Sequence, residues 1–330
     1  MAKILIAGGA GYVGSRLAPE LLKDGHQITV LDTLWFGNNL PTEILVLEKD
    51  IFDVEESALS GFDQVIFLAG LSNDPMAEYS PSQNFIYNSA SPAYLAYISK
   101  KAGVKRFIYA CSASVYGFTG GKPLTEESVA KSDYPYGISK LQGELAVMSL
   151  ADENFSVISL RKGTISGWSP RMRFDLIVNT MYMKARTEGK ITINNPAIWR
   201  PIVSIGDLVE AYQLAVSAPL SVGGIFNISS GNFTVGEVGK KVAKHFKEKY
   251  SKEIAVEVKN IADKRNYQMS NAKAEKILGF LPKGTIESIL EDLDSNIPAD
   301  FDFSNEKYYN ILVFKKAFGK KQIQDSRFRI

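Results

Sequence analysis

Short runs of apolar residues alternate with amphipathic stretches along the first 160 residues of the chain. The apolar runs have the length and β-branched content of buried strands, and the stretches between them have helical spacing. The predicted strands lie at residues 3–7, 27–32, 44–48, 64–69, 107–111 and 156–160. The predicted helices lie at residues 11–23, 82–103 and 136–153. This alternation favours a doubly wound α/β fold, in which helices cover both faces of a parallel sheet.

The pattern becomes less regular after residue 163. Helices are predicted at 175–188, 206–217, 235–250 and 271–278, strands at 225–228 and 254–258, and loops at 194–196 and 199–201. We therefore predict a first domain over residues 1–165 and a smaller α/β lobe over residues 166–296. Some elements of the lobe are expected to return to the first domain. No role is assigned to the tail at 297–330.

Composition narrows the class of protein without identifying a site. The chain has 330 residues, of which 45% are hydrophobic and 22% charged, and its net charge of +2 does not suggest a nucleic-acid partner. Neither a signal peptide nor a membrane-spanning helix is predicted. The single cysteine, Cys111, cannot form an intrachain disulfide, so a cytoplasmic location is expected. Because the two histidines, His26 and His245, are far apart in sequence, no metal site is predicted.

Three glycines, Gly8, Gly11 and Gly14, lie between the first predicted strand and the first predicted helix. A turn of this kind lets the backbone approach a pyrophosphate, and the helix N-terminus offers unpaired N–H groups. Asp32 ends the second strand, where its carboxylate can accept hydrogen bonds from the adenosine ribose and would repel the extra phosphate of NADP. The pattern predicts a Rossmann-type site for NAD; the alternative is a structural turn beside a surface acid. The turn residues assigned to the cofactor are Gly8, Gly11, Tyr12, Val13 and Gly14.

Tyr136 and Lys140 are four residues apart in a predicted helix and therefore share one of its faces. A phenol beside an ammonium can act as an acid and base, and the positive charge is expected to lower the tyrosine pKa towards neutrality. Ser112 ends the fifth predicted strand, at the sheet edge where such folds bind ligands. Its hydroxyl can hydrogen-bond a reacting oxygen. The alternatives are a chance spacing and a serine-rich loop.

Together these residues resemble the extended short-chain dehydrogenase/reductase family, specifically its nucleotide-sugar epimerases and dehydratases. The resemblance extends from Lys3 to about Leu293. It implies that NAD is the cofactor, that Tyr136 is the base, that Lys140 also holds the nicotinamide ribose and that Ser112 assists at a sugar hydroxyl. The further residues that it assigns to the cofactor are Asp50 and Ile51 beside the adenine, Leu68, Ala69 and Gly70 along the cleft, and Asn88 in support.

The resemblance also assigns substrate-binding residues in the second half of the chain. Arg200 and Arg265 match two arginines that contact the substrate pyrophosphate, and Asn179 matches a substrate-binding asparagine. The other residues assigned to the substrate are Ser114, Thr164 and Arg173. Two positions depart from the pattern, because Thr164 stands where epimerases often have asparagine and Ser72 replaces a lysine near the cofactor phosphates. The stretch 169–175 resembles a branch that includes heptose-nucleotide dehydrogenases.

The implied reaction is NAD-dependent oxidation of a nucleotide-diphosphate sugar at C4, followed by return of the hydride in an epimerase. A dehydrogenase or reductase with net redox change is the alternative, and a non-catalytic NAD-sensing regulator is another. Ala113 and Ser114 stand where dehydratases carry an Asp-Glu pair, so loss of water is not expected unless Asp74 or Asp175 replaces that pair. A homodimer through the helices at 82–103 and 136–153 is expected, with no membrane partner.

Overall fold

A parallel sheet of seven strands forms the centre of the computed structural model, which describes residues 1–117, 121–261 and 266–319. From one edge to the other the strands are β10 (Gly224–Ile228), β6 (Ser156–Lys162), β5 (Arg106–Ser112), β4 (Gln64–Phe67), β1 (Lys3–Ala7), β2 (Gln27–Asp32) and β3 (Leu45–Glu48). The order reverses beside β1, which places a ligand crevice at the carboxyl ends of the strands. The predicted doubly wound α/β fold is confirmed.

Helices cover both faces of this sheet and continue into the second half of the chain. They are α1 (Gly14–Lys23), α2 (Asp74–Tyr79), α3 (Pro81–Phe85), α4 (Ser91–Lys101), α5 (Pro135–Met148), α6 (Ile177–Glu188), α7 (Ile205–Ser217), α8 (Val235–Tyr250), α9 (Ala272–Leu278), α10 (Ile286–Asn296) and α11 (Asn310–Gly319). None of the helices in the described ranges is long and apolar enough to span a bilayer.

The helix predicted at 82–103 is interrupted by a π-helical turn at Ile86–Ala90. Pro92 has no N–H group, so the carbonyl of Asn88 loses the donor that a regular helix would give it. The hydroxyl of Tyr109 donates to that carbonyl instead, over 3.2 Å. The wide turn thereby brings Asn88 to the edge of the crevice.

Two small sheets build the second half of the chain. One has the order β11 (Gly231–Thr234), β9 (Trp199–Ser204) and β7 (Thr164–Ser166), and the other pairs β12 (Ala255–Lys259) with β8 (Lys190–Asn194). The prediction of a loop at 199–201 is wrong, because β9 is the central strand of its sheet. Pro201 argued against a strand there, since proline is rare in central strands. A later strand, β10, extends the central sheet beside β6.

Candidate active site

One deep cleft opens at the carboxyl ends of β1, β2, β4, β5 and β6 and extends towards β9. Most of the predicted site residues, although spread over almost 200 positions of sequence, line it together. They are Gly8, Gly11, Tyr12, Val13, Asp32, Asp50, Ile51, Leu68, Ala69, Gly70, Asn88, Ser112, Ser114, Tyr136, Lys140, Thr164, Arg173 and Arg200.

The glycine turn packs too closely for larger residues. Gly8 has a φ of 79°, and a Cβ on it would lie 2.5 Å from the backbone nitrogen of Ala69. A Cβ on Gly14 would lie 2.3 Å from the carbonyl oxygen of Gly9, so Gly14 packs α1 against the turn and does not itself line the cleft. This arrangement directs the N-terminus of α1 at the cleft floor and fits the phosphates of a dinucleotide.

Asp32 organises the turn as well as facing the cleft. Its carboxylate accepts hydrogen bonds from the backbone N–H of Ala10, at 3.0 Å, and of Leu34, at 2.9 Å. Burial raises the pKa of Asp32, and these backbone donors partly offset that effect. Because an ionised carboxylate has more acceptor positions than these two bonds use, Asp32 can also bind ribose hydroxyls.

The part of the cleft next to Asp32 fits an adenine, because the backbone N–H of Lys49, the residue before Asp50, donates to the carbonyl of Asp32 over 3.1 Å. Ile51 lines it, and Asp50 accepts a hydrogen bond from the hydroxyl of Tyr87 over 3.1 Å. Gly70 has a φ of 127°, and a Cβ there would lie 2.3 Å from the Oδ1 atom of Asn88. That buried oxygen has no hydrogen-bond partner within the described residues. The residues present therefore fit NAD along the whole predicted path.

Tyr136 lies in the first turn of α5 and lines the cleft together with Ser112 at the end of β5, whose hydroxyl favours the ionised form of Tyr136. The hydroxyl of Ser112 also lies 3.2 Å from that of Ser114. The expected lowering of the Tyr136 pKa is wrong for this arrangement, because burial raises the pKa. The ammonium of Lys140 lies over the ring of Tyr109, 4.6 Å from its centroid. The hydroxyl of Ser112 and the charge of Arg173 oppose the effect of burial.

Two lysines, rather than the single one predicted, face this part of the cleft. Burial lowers the pKa of Lys140 to about 8. Lys162, at the end of β6, donates to the carbonyl of Cys111, and burial with the neighbouring charge of Lys140 lowers its pKa to about 7. The sequence analysis missed Lys162. The signal that could have found it is its position at the carboxyl end of a parallel strand.

The stretch 169–175 enters the cleft as a loop. Arg173 forms a two-point ion pair with Asp175, at 2.8 and 3.0 Å, and Asn73 donates to the same carboxylate over 2.8 Å. Burial disfavours the guanidinium, but Asp175 holds the pKa of Arg173 above its usual value. Arg171, two residues earlier, lines the cleft with Asn310 of α11, and the sequence analysis assigned neither to the site.

Two of the predicted substrate residues, Asn179 and Arg265, are not among the described residues that line the cleft. Asn179 does not line the cleft: its buried amide donates to the hydroxyl of Tyr12 at 3.1 Å and to the carbonyl of Arg173 at 2.9 Å, and accepts from Gly167. It therefore supports the arginine loop from behind, which corrects its assignment to the substrate. Arg265 lies outside the described residues.

A histidine-carboxylate cluster lies on the far side of the lobe. His245, Glu291 and Asp294 have potential ligand atoms within 4.8 Å of one another. The ammonium of Lys249 already pairs with both carboxylates, at 2.5 Å from Glu291 and 3.0 Å from Asp294. This cation occupies the centre of negative charge that a metal ion would need, so we interpret the cluster as an ion-pair network between α8 and α10.

Comparison with known proteins agrees with this geometry. Residues 4–229 match the model of the NAD dependent epimerase/dehydratase family. A UDP-glucose 4-epimerase of Corynebacterium glutamicum is 29% identical over 313 residues, covering 88% of this chain and 94% of that protein. A UDP-glucose 4-epimerase of Thermotoga maritima, determined with UDP-glucose, has a TM-score of 0.77 at 25% identity, covering 96% and 99%. That of Thermus thermophilus, in complex with NAD, has a TM-score of 0.77 at 24% identity, covering 88% and 98%.

Proposed function

Because this chain belongs to the NAD dependent epimerase/dehydratase family, we propose that it oxidises a nucleotide-diphosphate sugar at C4 to a 4-keto intermediate and then reduces it as an epimerase. The observation that carries the proposal is that Tyr136, Ser112 and Lys140 line the same cleft as the glycine turn. This arrangement joins a proton-transfer group to a dinucleotide site.

Tyr136 and Ser112, the catalytic pair, have separate tasks. Tyr136 exchanges a proton with the sugar hydroxyl, and Ser112 holds that oxygen by a hydrogen bond. NAD, when bound, would supply the hydride acceptor. Burial keeps the proton on Tyr136, so positive charge is needed to stabilise the phenolate. Arg173 acts on Tyr136 in this way, and Lys140, which lines the same cleft, is proposed to add to it. The same proton is then available when the keto group is reduced.

The nucleotide-sugar side of the cleft is proposed to extend towards β9. Arg200 lines the cleft there, with its guanidinium 5.9 Å from the ring centroid of Tyr267. A guanidinium offers paired donors that match phosphate oxygens. Ser114 and Thr164 line the space between Arg200 and the catalytic pair, and their hydroxyls suit sugar recognition. Arg265 is proposed to contact the same pyrophosphate.

Two other outcomes would use the same first step. A dehydrogenase would release the keto sugar. A dehydratase would need carboxyl groups near the sugar, and Ala113 is buried and does not line the cleft. Asp74 and Asp175 do line it, but Asp175 is held by Arg173. Asp74 is therefore the carboxyl group that a dehydratase reaction would have to use. Turnover of any kind would exclude the NAD-sensing regulator.

Product mass distinguishes these outcomes. The purified protein is incubated with a panel of nucleotide-diphosphate sugars, UDP-glucose first, and the products are analysed by mass spectrometry and NMR while NADH absorbance is followed. We expect a product of unchanged mass with an inverted C4. A loss of two hydrogens with NADH accumulation would indicate a dehydrogenase, and a loss of water would overturn the epimerase proposal.

We also propose that the chain forms a homodimer in the cytoplasm. Tyr97 on α4 is 53% exposed and Leu145 on α5 is 61% exposed, so both helices present apolar surface. Cys111 is a free, buried thiol, which suits a reducing compartment. Light scattering of the wild type and of Leu145→Asp tests the dimer: the wild type should have twice the chain mass, and the variant should dissociate.

A further inference from the structure

Arg171 is a cation buried beside the cofactor cleft. Its side chain lines the cleft, yet the residue is only 3% exposed. Removing a guanidinium from water costs several kcal/mol unless charge or hydrogen bonds compensate it. A buried arginine in this position therefore needs an anion or hydrogen-bond acceptors to compensate its charge.

The described residues compensate Arg171 only in part. It donates to the Oδ1 atom of Asn310 and, over 3.4 Å, to the carbonyl of Met172, while its Nε has no hydrogen-bond partner. The ring centroid of Phe36 lies 3.7 Å from the guanidinium carbon. Burial and the neighbouring charge of Arg173 lower the Arg171 pKa to about 9, and Asp175 and Asp32 oppose this effect without a hydrogen bond to Arg171. The group stays charged at neutral pH without a carboxylate in contact with it.

The place of Arg171 in the cleft indicates which anion it serves. Ser169, on the same loop, donates to the carbonyl of Tyr12 over 2.7 Å, so the loop lies against the glycine turn. Ser72 is also adjacent, because Asn310 donates to its hydroxyl over 2.9 Å. The anion that this end of the cleft is built to bind is the pyrophosphate of a dinucleotide.

The C-terminal segment holds Arg171 in this position. Phe174, on the same loop, packs against a cluster of aromatic rings from that segment, namely Phe301, Phe303, Tyr308 and Tyr309. The N–H of Phe174 donates to the carbonyl of Tyr308 over 3.1 Å. Further along, Phe314 of α11 is fully buried and packs near Leu71 and Trp35 of the cleft wall. The described part of this C-terminal segment, residues 297–319, and the loop thus form one packed unit.

We propose that Arg171, oriented by Asn310, is a binding residue for the cofactor pyrophosphate, and that the C-terminal segment to which no role was assigned completes the cofactor site. The inference rests on the proposed function in so far as the cleft binds NAD. It goes further because it places the cation that binds the cofactor phosphates on a loop held by the C-terminal helix α11. The positive charge that Ser72 cannot provide is then supplied by Arg171.

The test measures ligand binding rather than turnover. Affinities of the wild type, Arg171→Gln and Asn310→Asp for ADP-ribose are measured by calorimetry, and those for adenosine by ligand-observed NMR. We expect both variants to lose on the order of 10- to 100-fold in ADP-ribose affinity, the scale of hydrogen bonds to charged groups, with adenosine nearly unchanged. Lys316→Gln, which removes an exposed charge on the same helix, should bind like the wild type.

Asn310→Asp keeps the test decisive if Arg171→Gln does not fold. A carboxylate next to Arg171 supplies the missing partner, so this variant should unfold at a higher temperature than the wild type while binding ADP-ribose more weakly. UDP affinity is measured by calorimetry in the same way. Unchanged ADP-ribose affinity in a folded variant would refute the proposal, as would a loss confined to UDP, which would assign Arg171 to the substrate. Failure of the wild type to bind ADP-ribose would instead refute the cofactor assignment of the proposed function.

Discussion

Replacing Lys140 by methionine should make the protein more stable and catalytically inactive at the same time. Lys140 is only 4% exposed, and its ammonium contacts the ring of Tyr109. Glu144, the carboxylate that favours its charge, already binds Arg161. Lowering the Lys140 pKa from 10.5 to about 8 corresponds to a cost of about 3 kcal/mol at neutral pH.

Part of that cost is offset by the contact with Tyr109, which is worth about 1 kcal/mol. Methionine keeps the length and flexibility of the lysine stem, so packing changes little. We therefore expect the free energy of unfolding of Lys140→Met at pH 7 to exceed that of the wild type by about 2 kcal/mol. The same variant should lose turnover, because the charge that stabilises the Tyr136 phenolate is gone.

The sign of the pH dependence gives a second check. Between about pH 8 and 10.5 the unfolded chain binds more protons at Lys140 than the folded chain does. Titration of Lys140 therefore increases the free energy of unfolding of the wild type as pH rises through this range. The advantage of Lys140→Met should consequently shrink as pH rises through that range. Urea unfolding of the cofactor-free wild type and Lys140→Met at pH 7 and 9.5 measures this difference in stability. Lys101→Met, at an exposed position, is the control. A variant less stable than the wild type at pH 7, or a difference independent of pH, would refute the reasoning.

Three further predictions concern the cleft. Tyr136→Phe should lower turnover by at least about 10²-fold while NAD affinity, measured by calorimetry, stays near that of the wild type; normal activity would remove Tyr136 from the mechanism. NAD should bind much more tightly than NADP because Asp32 faces the ribose, and equal affinities would show that Asp32 does not read this group. Arg200→Ala should weaken UDP binding by about 1.5–3 kcal/mol with NAD affinity unchanged, and wild-type UDP affinity would contradict the substrate assignment.

Most residues that line the candidate cofactor cleft could be predicted because their signals are local in sequence. A tight turn, the helix after it and an acid at the next strand end each leave a pattern within a few residues, so Gly8, Gly11 and Asp32 could be assigned to one ligand. Tyr136 and Lys140 share a helix face for the same reason. The parallel sheet then brings these separate signals together, because every strand ends at the same edge.

The residues that escaped prediction depend on contacts between distant segments. Asn310 reaches the cleft only because the tail packs on Phe174, and no short-range pattern predicts that contact. Asn179 was assigned to the substrate by its place in sequence, but its burial behind the arginine loop depends on how α6 packs. The pKa of Tyr136 also could not be predicted, because burial, which sequence spacing does not reveal, outweighs the nearby charge.

Among the buried cations of the described residues, Arg106 lies away from the cleft and donates to backbone carbonyls, whereas five others divide into two groups by their partners. Arg161 and Arg173 are each paired with a carboxylate, Glu144 and Asp175, at hydrogen-bonding distance, so their burial is compensated within the fold, although Arg173 still acts on Tyr136. Three other cations, Lys140, Lys162 and Arg171, have lowered pKa values because burial is not matched by such a pair. Their charge is available to a phenolate or a phosphate. Since all three line the cleft, the stability lost by burying them is concentrated where cofactor and sugar chemistry need positive charge.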